Sequence, residues 1–253
     1  MMIDAHKNYG RIEYLRSIEK AGDFIILSQL PPPQSGWAQQ YNHYLQPAWA
    51  RAFEPPSVCS SNTVRNINTL IDLYLYTGRA KYLEPIPDAI RWLKESILPN
   101  GRWARFYELG TNQPLYYDRG RKRVSSTEEL SIERRTGYAY EVSIGLENTI
   151  KYYDEVIELG REGYLKKKEQ IISENEKMKK LKSTETTIRD IISSQDEMGR
   201  WIVKDKYRYE VLGAGRWNGE YKVEDRIKSR VFINNIELLC DYIELAKSLD
   251  FLK

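Results

Sequence analysis

Apolar residues recur at helical spacing through much of the chain. In "RIEYLRSIEKAGDFIILSQL", Ile12, Leu15, Ile18, Gly22 and Ile25 or Ile26 fall on one face. The following "PPPQSG" stops that helix, because proline cannot donate a backbone hydrogen bond and clashes with the preceding turn. "SSNTVRNINTLIDLYLYTGRAKYLEPIPDAIRWLKESILPNG" predicts two helices. Ser60, Ser61 or Asn62 caps the first, Gly78 ends it, and the second runs up to "PNG". Residues 137–160, "GYAYEVSIGLENTIKYYDEVIELG", read as a further amphipathic helix, and "KSRVFINNIELLCDYIELAKSLD" as the last. Between them lies a highly charged helical stretch with sparse apolar positions. Residues 158–187 are taken as a charged helical connector within a single domain spanning 1–253.

A weak repeat runs through these elements. Helices end in "ILSQLPPPQSGW", "LKESILPNGRW" and "IISSQDEMGRW", each leading through a turn and a glycine to Trp37, Trp103 or Trp201. The spacing is too irregular for a solenoid of fixed period. Helical hairpins set in a ring suit it better. The expectation is a mainly α fold, an incomplete (α/α) toroid, with short β ribbons lining a cleft at one end.

Composition narrows the chemistry. The 253 residues are ample for a hydrophobic core without disulfides, and 39 basic against 36 acidic residues leave a net charge of only +3. No general nucleic-acid footprint follows. Cys59 and Cys240 have no metal-ligand spacing and are expected to be buried free thiols. Two histidines are too few for a histidine-rich zinc site. "MMIDAHKNYGRIEYLRS" lacks the apolar core of a signal peptide, and no stretch reaches the length of a membrane span.

Two phrases nearly rhyme: "WARAFE" at 49–54 and "WARFYE" at 103–108. If both are extended, alternation puts Trp49, Arg51 and Phe53 on one face, and Trp103, Arg105 and Tyr107 on another. Ring, guanidinium and ring together suit a sugar acid. The apolar face of a pyranose packs on an aromatic ring, and arginine grips a carboxylate with two parallel hydrogen bonds. Arg119, Arg121, Arg123, Arg134 and Arg135 follow close behind. The plainer alternative is that the tryptophans are core and that Arg51 pairs with Glu54 or Glu108 at the surface. A glycoside hydrolase would need two carboxylates flanking the bond, and no such pair is evident among Glu54, Glu108 and Glu133.

The runs "GWAQQYNHYLQPAWARAFEPPSV", "GRWARFYELGTNQPLYYDRG" and "ERRTGYAYEVS" resemble the family 10 polysaccharide lyases, the pectate lyases. The resemblance covers most of the chain, from about Ile18 onward. It implies an (α/α) toroid that cleaves polygalacturonate by β-elimination with the help of calcium, outside the cytoplasm. By motif it implies that Arg51 is the base taking the C5 proton and that Arg105 binds substrate carboxylate. Arg119 falls in a turn like the family's Gly-Arg-Asp-Gly, although here Asp118 precedes it and Gly120 follows. Trp49, Trp103, Tyr107 and Arg135 complete the expected substrate-binding set. An arginine base needs its neutral form, which crowding by other cations favours, so activity is expected to rise at alkaline pH. The aspartates with which the family binds calcium are not found: Asp4 is in the wrong context, and Asn42 stands where many relatives have a carboxylate. The chain is therefore read as part of a longer lyase, completed by a chain supplying the N-terminal half; as a uronate binder without turnover; or as a lyase with a reduced metal site. A helical interaction scaffold with no affinity for uronates is the remaining class.

Overall fold

The computed structural model describes residues 2–168, 174–210 and 217–249, with backbone alone for 209, 210, 217 and 218. In chain order the elements are α1 (Met2–Tyr9), α2 (Ile12–Leu27), β1 (Val58–Cys59), α3 (Ser60–Thr77), α4 (Ile86–Glu95), β2 (Trp103–Ala104), β3 (Phe106–Tyr107), β4 (Tyr116–Asp118), β5 (Lys122–Val124), α5 (Ile132–Gly137), β6 (Glu141–Val142), α6 (Leu146–Lys168), α7 (Glu174–Ser193), β7 (Ile202–Glu210), β8 (Trp217–Ile227) and α8 (Ser229–Lys247). The mainly helical expectation holds. Where the sequence suggested one domain, the chain forms two compact units, Met1–Lys168 and Glu169–Lys253. The expected connector becomes the end of α6 and most of α7, and its residues 169–173 lie outside the described residues.

In the first unit α3 is the hub, packing on α2, α4 and α6. It buries Val64, Ile67, Leu70, Ile71 and Leu75, and Gly78 ends it in the left-handed conformation (φ 73°), its N–H donating to Tyr74 O at 2.7 Å. Gly22 lets α2 approach closely, since a Cβ there would lie 2.4 Å from the Tyr82 ring. A smaller core of Cys59, Phe106, Leu115, Tyr116, Val124, Leu130 and Tyr140 gathers under the short strands. Of the two thiols expected to be buried, Cys59 is and Cys240 is exposed.

The Trp repeat has a structural meaning. The indole N–H of Trp37 donates to Ile25 O at 2.6 Å, that of Trp103 to Leu93 O at 2.7 Å, and that of Trp201 to Ile191 O at 2.8 Å. Each acceptor stands two residues before the last residue of its helix. The final carbonyls of a helix have no partner within it. The turn brings a tryptophan back to fill one of them while its ring packs as core.

Residues 137–160 differ from expectation. Tyr138 is extended, β6 pairs with β2 through Val142 and Trp103, and Gly145 (φ 65°) turns the chain before α6 takes up the rest of the span from Leu146. In the second unit α7 packs on α8, and β7 and β8 form an antiparallel hairpin in which Ile202 faces Ile227. No described helix is long and apolar enough to cross a membrane.

Candidate functional site

The two rhyming phrases fold differently. Residues 50–54 form a tight turn, closed by Ala50 N–H to Glu54 O (3.2 Å) and Glu54 N–H to Arg51 O (2.9 Å). Trp49, Arg51 and Phe53 therefore do not share a strand face. The turn drives Phe53 and Glu54 inward, leaving Glu54 with 1% of its surface exposed. A buried carboxylate must be paired or hydrogen-bonded. Glu54 accepts from the Arg51 backbone N–H (3.1 Å), from Arg51 Nε (2.8 Å) and Nη2, and from the Tyr138 hydroxyl (2.6 Å). Burial alone would raise its pKa; the hydrogen bonds from Arg51, Tyr138 and Gln39 prevail and bring it to about 2.

The same pairing corrects the expectation for Arg51. Its nearest charged neighbour is an anion, and the hydrogen bond to Glu54 raises its pKa. Cation crowding does not set its protonation; Glu54 holds it charged.

In "WARFYE" the ribbon breaks at Arg105. β2 pairs with β6 and β3 with β1, while the Arg105 N–H donates to Tyr140 O (2.6 Å) and its carbonyl accepts from the Ser60 N–H (3.1 Å). Trp103 and Tyr107, expected to face a sugar, are core. Trp103 caps α4, and the Tyr107 hydroxyl donates to Ser96 O and accepts from the Ala104 N–H. Burial pushes the Tyr107 pKa up to about 12. Their place is set by the hydrogen-bonding partners each ring finds in the interior.

Arg105 itself is half-buried at the edge of this core. Its Nε donates to Ala139 O at 2.7 Å, and its guanidinium carbon lies 4.8 Å from the centre of the Tyr138 ring. Arg51 lies 5.3 Å from the same ring, so the two guanidinium groups are no more than about 10 Å apart. Among the described residues no carboxylate pairs with Arg105.

Around this pair the remaining arginines are tied in different ways. Arg119 makes a two-pronged bridge to Glu133 (2.7 and 2.5 Å), helping to hold the Glu133 pKa at about 2. Arg134 is buried, shares Glu133 at 2.6 Å and stacks 4.0 Å over Phe53. Arg123 pairs with Glu108 at 2.5 Å. Arg121 covers Trp49 at 4.7 Å, and Trp49 meets Tyr117 edge-on at 5.3 Å. Trp49 is thus half-buried beside a cation, as a ring at the rim of a cleft would be. Arg135 is exposed and lines a cavity of about 550 Å³ that also touches Tyr138. The plainer alternative had paired Arg51 with Glu54, though at the surface; that Glu54 is buried, and that Tyr138 and Glu133 organise the centre, sequence reasoning missed. The quoted "ERRTGY" contained Glu133 and Tyr138, but no spacing links either to residue 51 or 54.

The resemblance implies calcium. It takes six or more oxygen ligands, and among the described residues no three His, Cys, Asp or Glu side chains gather into a group that could hold a metal.

The family model of pectic acid lyases matches residues 99–147, a span holding Arg105, Arg119, Arg135 and Tyr138. Among solved structures, the chain is similar to the family 10 polysaccharide lyase from Cellvibrio cellulosa and to a mutant of that lyase in complex with trigalacturonic acid. Each match has 22% identity and a TM-score of 0.45, covering 58% of this chain and 51% of that one. The chain thus spans about half the length of these solved proteins. No curated protein matches it.

Proposed function

We propose that the chain binds polygalacturonate and cleaves it by β-elimination. The observation that carries this reading is the convergence of Arg51 and Arg105 on the Tyr138 ring, with Arg105 free of any described carboxylate. A galacturonate carboxylate can enter such a place as the missing anion. Elimination then removes the C5 proton; its electron pair forms the C4–C5 double bond, the C4–O bond breaks, and the departing oxygen takes a proton from solvent. Negative charge builds on the C5 carboxylate as the proton leaves, and fixed cations stabilise that state more than the ground state.

The geometry supports a different role for Arg51 from the one that motif alone suggests. Arg51, clamped by Glu54, serves as a permanent cation facing the substrate carboxylate, with Nη1 turned away from the clamp. Arg105 is the cation left to grip the carboxylate, since no described carboxylate pairs with it and neither Nη has a partner among the described residues, and the C5 proton passes to hydroxide, which alkaline pH supplies. The toroid, an encounter outside the cytoplasm and a chain completing the fold are carried into this proposal by the resemblance.

Incubation with polygalacturonate, followed by ultraviolet absorbance of the unsaturated product, tests it. Absorbance should grow, faster at alkaline pH, and vanish in Arg105→Ala. A rate optimum in mild acid refutes the hydroxide step, and full activity in Arg105→Ala refutes Arg105 as the cation at the substrate carboxylate. The pairing of Arg51 with Glu54 also favours a second reading, a uronate-binding module without turnover. Binding of oligogalacturonate with no product would select it.

A further inference from the structure

Helix α8 carries more apolar surface than its own unit covers. Of its 19 residues only Ala246 is buried. Val231, Asn235, Leu239, Tyr242 and Ala246 recur at helical spacing and are half-buried or buried, as expected of the side that meets α7. A second row, roughly a third of a turn round the helix, is exposed: Ile233 (51%), Ile236 (37%), Cys240 and Ile243 (43%). Its intervals of three, four and three residues are those of a coiled-coil seam, with Cys240 standing in as a small hydrophobe. One step beyond at each end the row closes on hydrophilic Ser229 and Lys247. A surface helix ordinarily has one apolar stripe, facing its core; a second one left open marks an interaction surface.

We propose that this row docks a second copy of the chain, α8 lying antiparallel against α8. The charges beside the row select both partner and direction. Arg230, Glu237 and Glu244 border it on one side, one heptad apart. Arg230 lies in the first turn of α8 and Glu244 in the last, so each sits at the end of the helix dipole that bears its own sign. Neither is in a salt bridge with another described residue. An antiparallel copy sets Arg230 beside the partner's Glu244, and two-fold symmetry makes that contact twice. In the same register Ile233 faces the partner's Ile243 and Ile236 faces the partner's Cys240, giving layers of apolar side chains on both sides of the axis. Glu237 meets its own counterpart at the centre, a repulsion that keeps the dimer weak. A parallel pair would leave the two opposite charges about 20 Å apart along the axis. The pattern is therefore self-complementary in one direction only.

Sedimentation equilibrium of the full chain under reducing conditions, over about 1 to 200 µM, tests this. The wild type should pass from monomer to dimer within that range. Ile236→Asp should stay monomeric throughout. Arg230→Glu and Glu244→Arg should each weaken the dimer about tenfold, and the double reversal should return it to within about threefold of the wild type. All these positions are exposed, so the fold should survive, and circular dichroism checks it. Mild oxidation with glutathione disulfide should cross-link Ile236→Cys through the partner's Cys240 and leave the wild type unlinked. A wild type that stays monomeric refutes the proposal. A dimer indifferent to Ile236→Asp uses another face, one not restored by the double reversal pairs in another register, and a disulfide formed by native Cys240 alone means parallel helices; each of these overturns it as well.

Discussion

Replacing Glu54 by glutamine tests the charge pairing on which the site geometry depends. Glutamine keeps the volume and one acceptor oxygen but removes the anion. The Glu54 pKa falls from an ordinary 4.5 to about 2 in the fold. A carboxyl lowered so far stabilises the native state at neutral pH by up to about 3 kcal/mol. Solvent screens its partner, because the Arg51 side chain is 60% exposed while that of Glu54 is 2% exposed. About half the ceiling, ~1.5 kcal/mol, is the expected loss. The sign follows from the lowered pKa: the contribution is present above pH 4.5 and is lost as pH falls through 4.5 towards 2. Glu54→Gln should thus be less stable than wild type at pH 7, and the gap should shrink by more than half at about pH 3. Because the chain forms two units, one global unfolding curve would mix them. Hydrogen exchange at the β1–β3 amides reads the first unit alone, and the loss corresponds to about tenfold faster exchange at pH 7. Equal protection in both proteins at pH 7, or a gap unchanged at pH 3, would show that this pair does not hold the turn.

Two further substitutions separate structural from ligand-facing rings. Tyr138→Phe keeps the ring that Arg51 and Arg105 face and removes one hydrogen bond to buried Glu54; stability should drop by about 1–2 kcal/mol in urea denaturation of the first unit, with oligogalacturonate affinity within a few-fold of wild type. Trp103→Phe removes the indole hydrogen bond to the Leu93 carbonyl, leaving it only the longer one from the Ser96 N–H, and thins the core; it should cost about 2–4 kcal/mol by the same measurement. If Trp103 were a sugar platform instead, the affinity would fall while stability held.

Local chemistry was legible and distant pairing was not. Gly78 ended α3 as read, since a left-handed terminus calls for glycine wherever the chain goes next. The Gly–Trp recurrence was also visible, but its reason was hidden. An indole filling a helix-end carbonyl leaves no mark beyond the tryptophan itself, which reads equally as a sugar platform. The strand reading of "WARAFE" failed for a long-range reason: Glu54 is drawn inward by the hydroxyl of Tyr138, 84 residues on, and the chain turns to allow it. The helix expected over 137–160 holds from Leu146 onward and fails before it, because Val142 finds a strand partner at Trp103 and Gly145 breaks the path. These failures share a direction. Position within the core, and not residue type, divides the aromatics: Trp37, Trp103 and Tyr107 are consumed by interior hydrogen bonds, whereas Trp49 and Tyr138 keep arginines over their rings. The arginines divide by the same logic. Those facing Glu54, Glu133 and Glu108 are already neutralised, whereas Arg105, Arg121 and Arg135 have no carboxylate partner among the described residues. Affinity for a uronate should therefore follow the arginines that lack a carboxylate partner, rather than the number of arginines in the phrase that first drew notice.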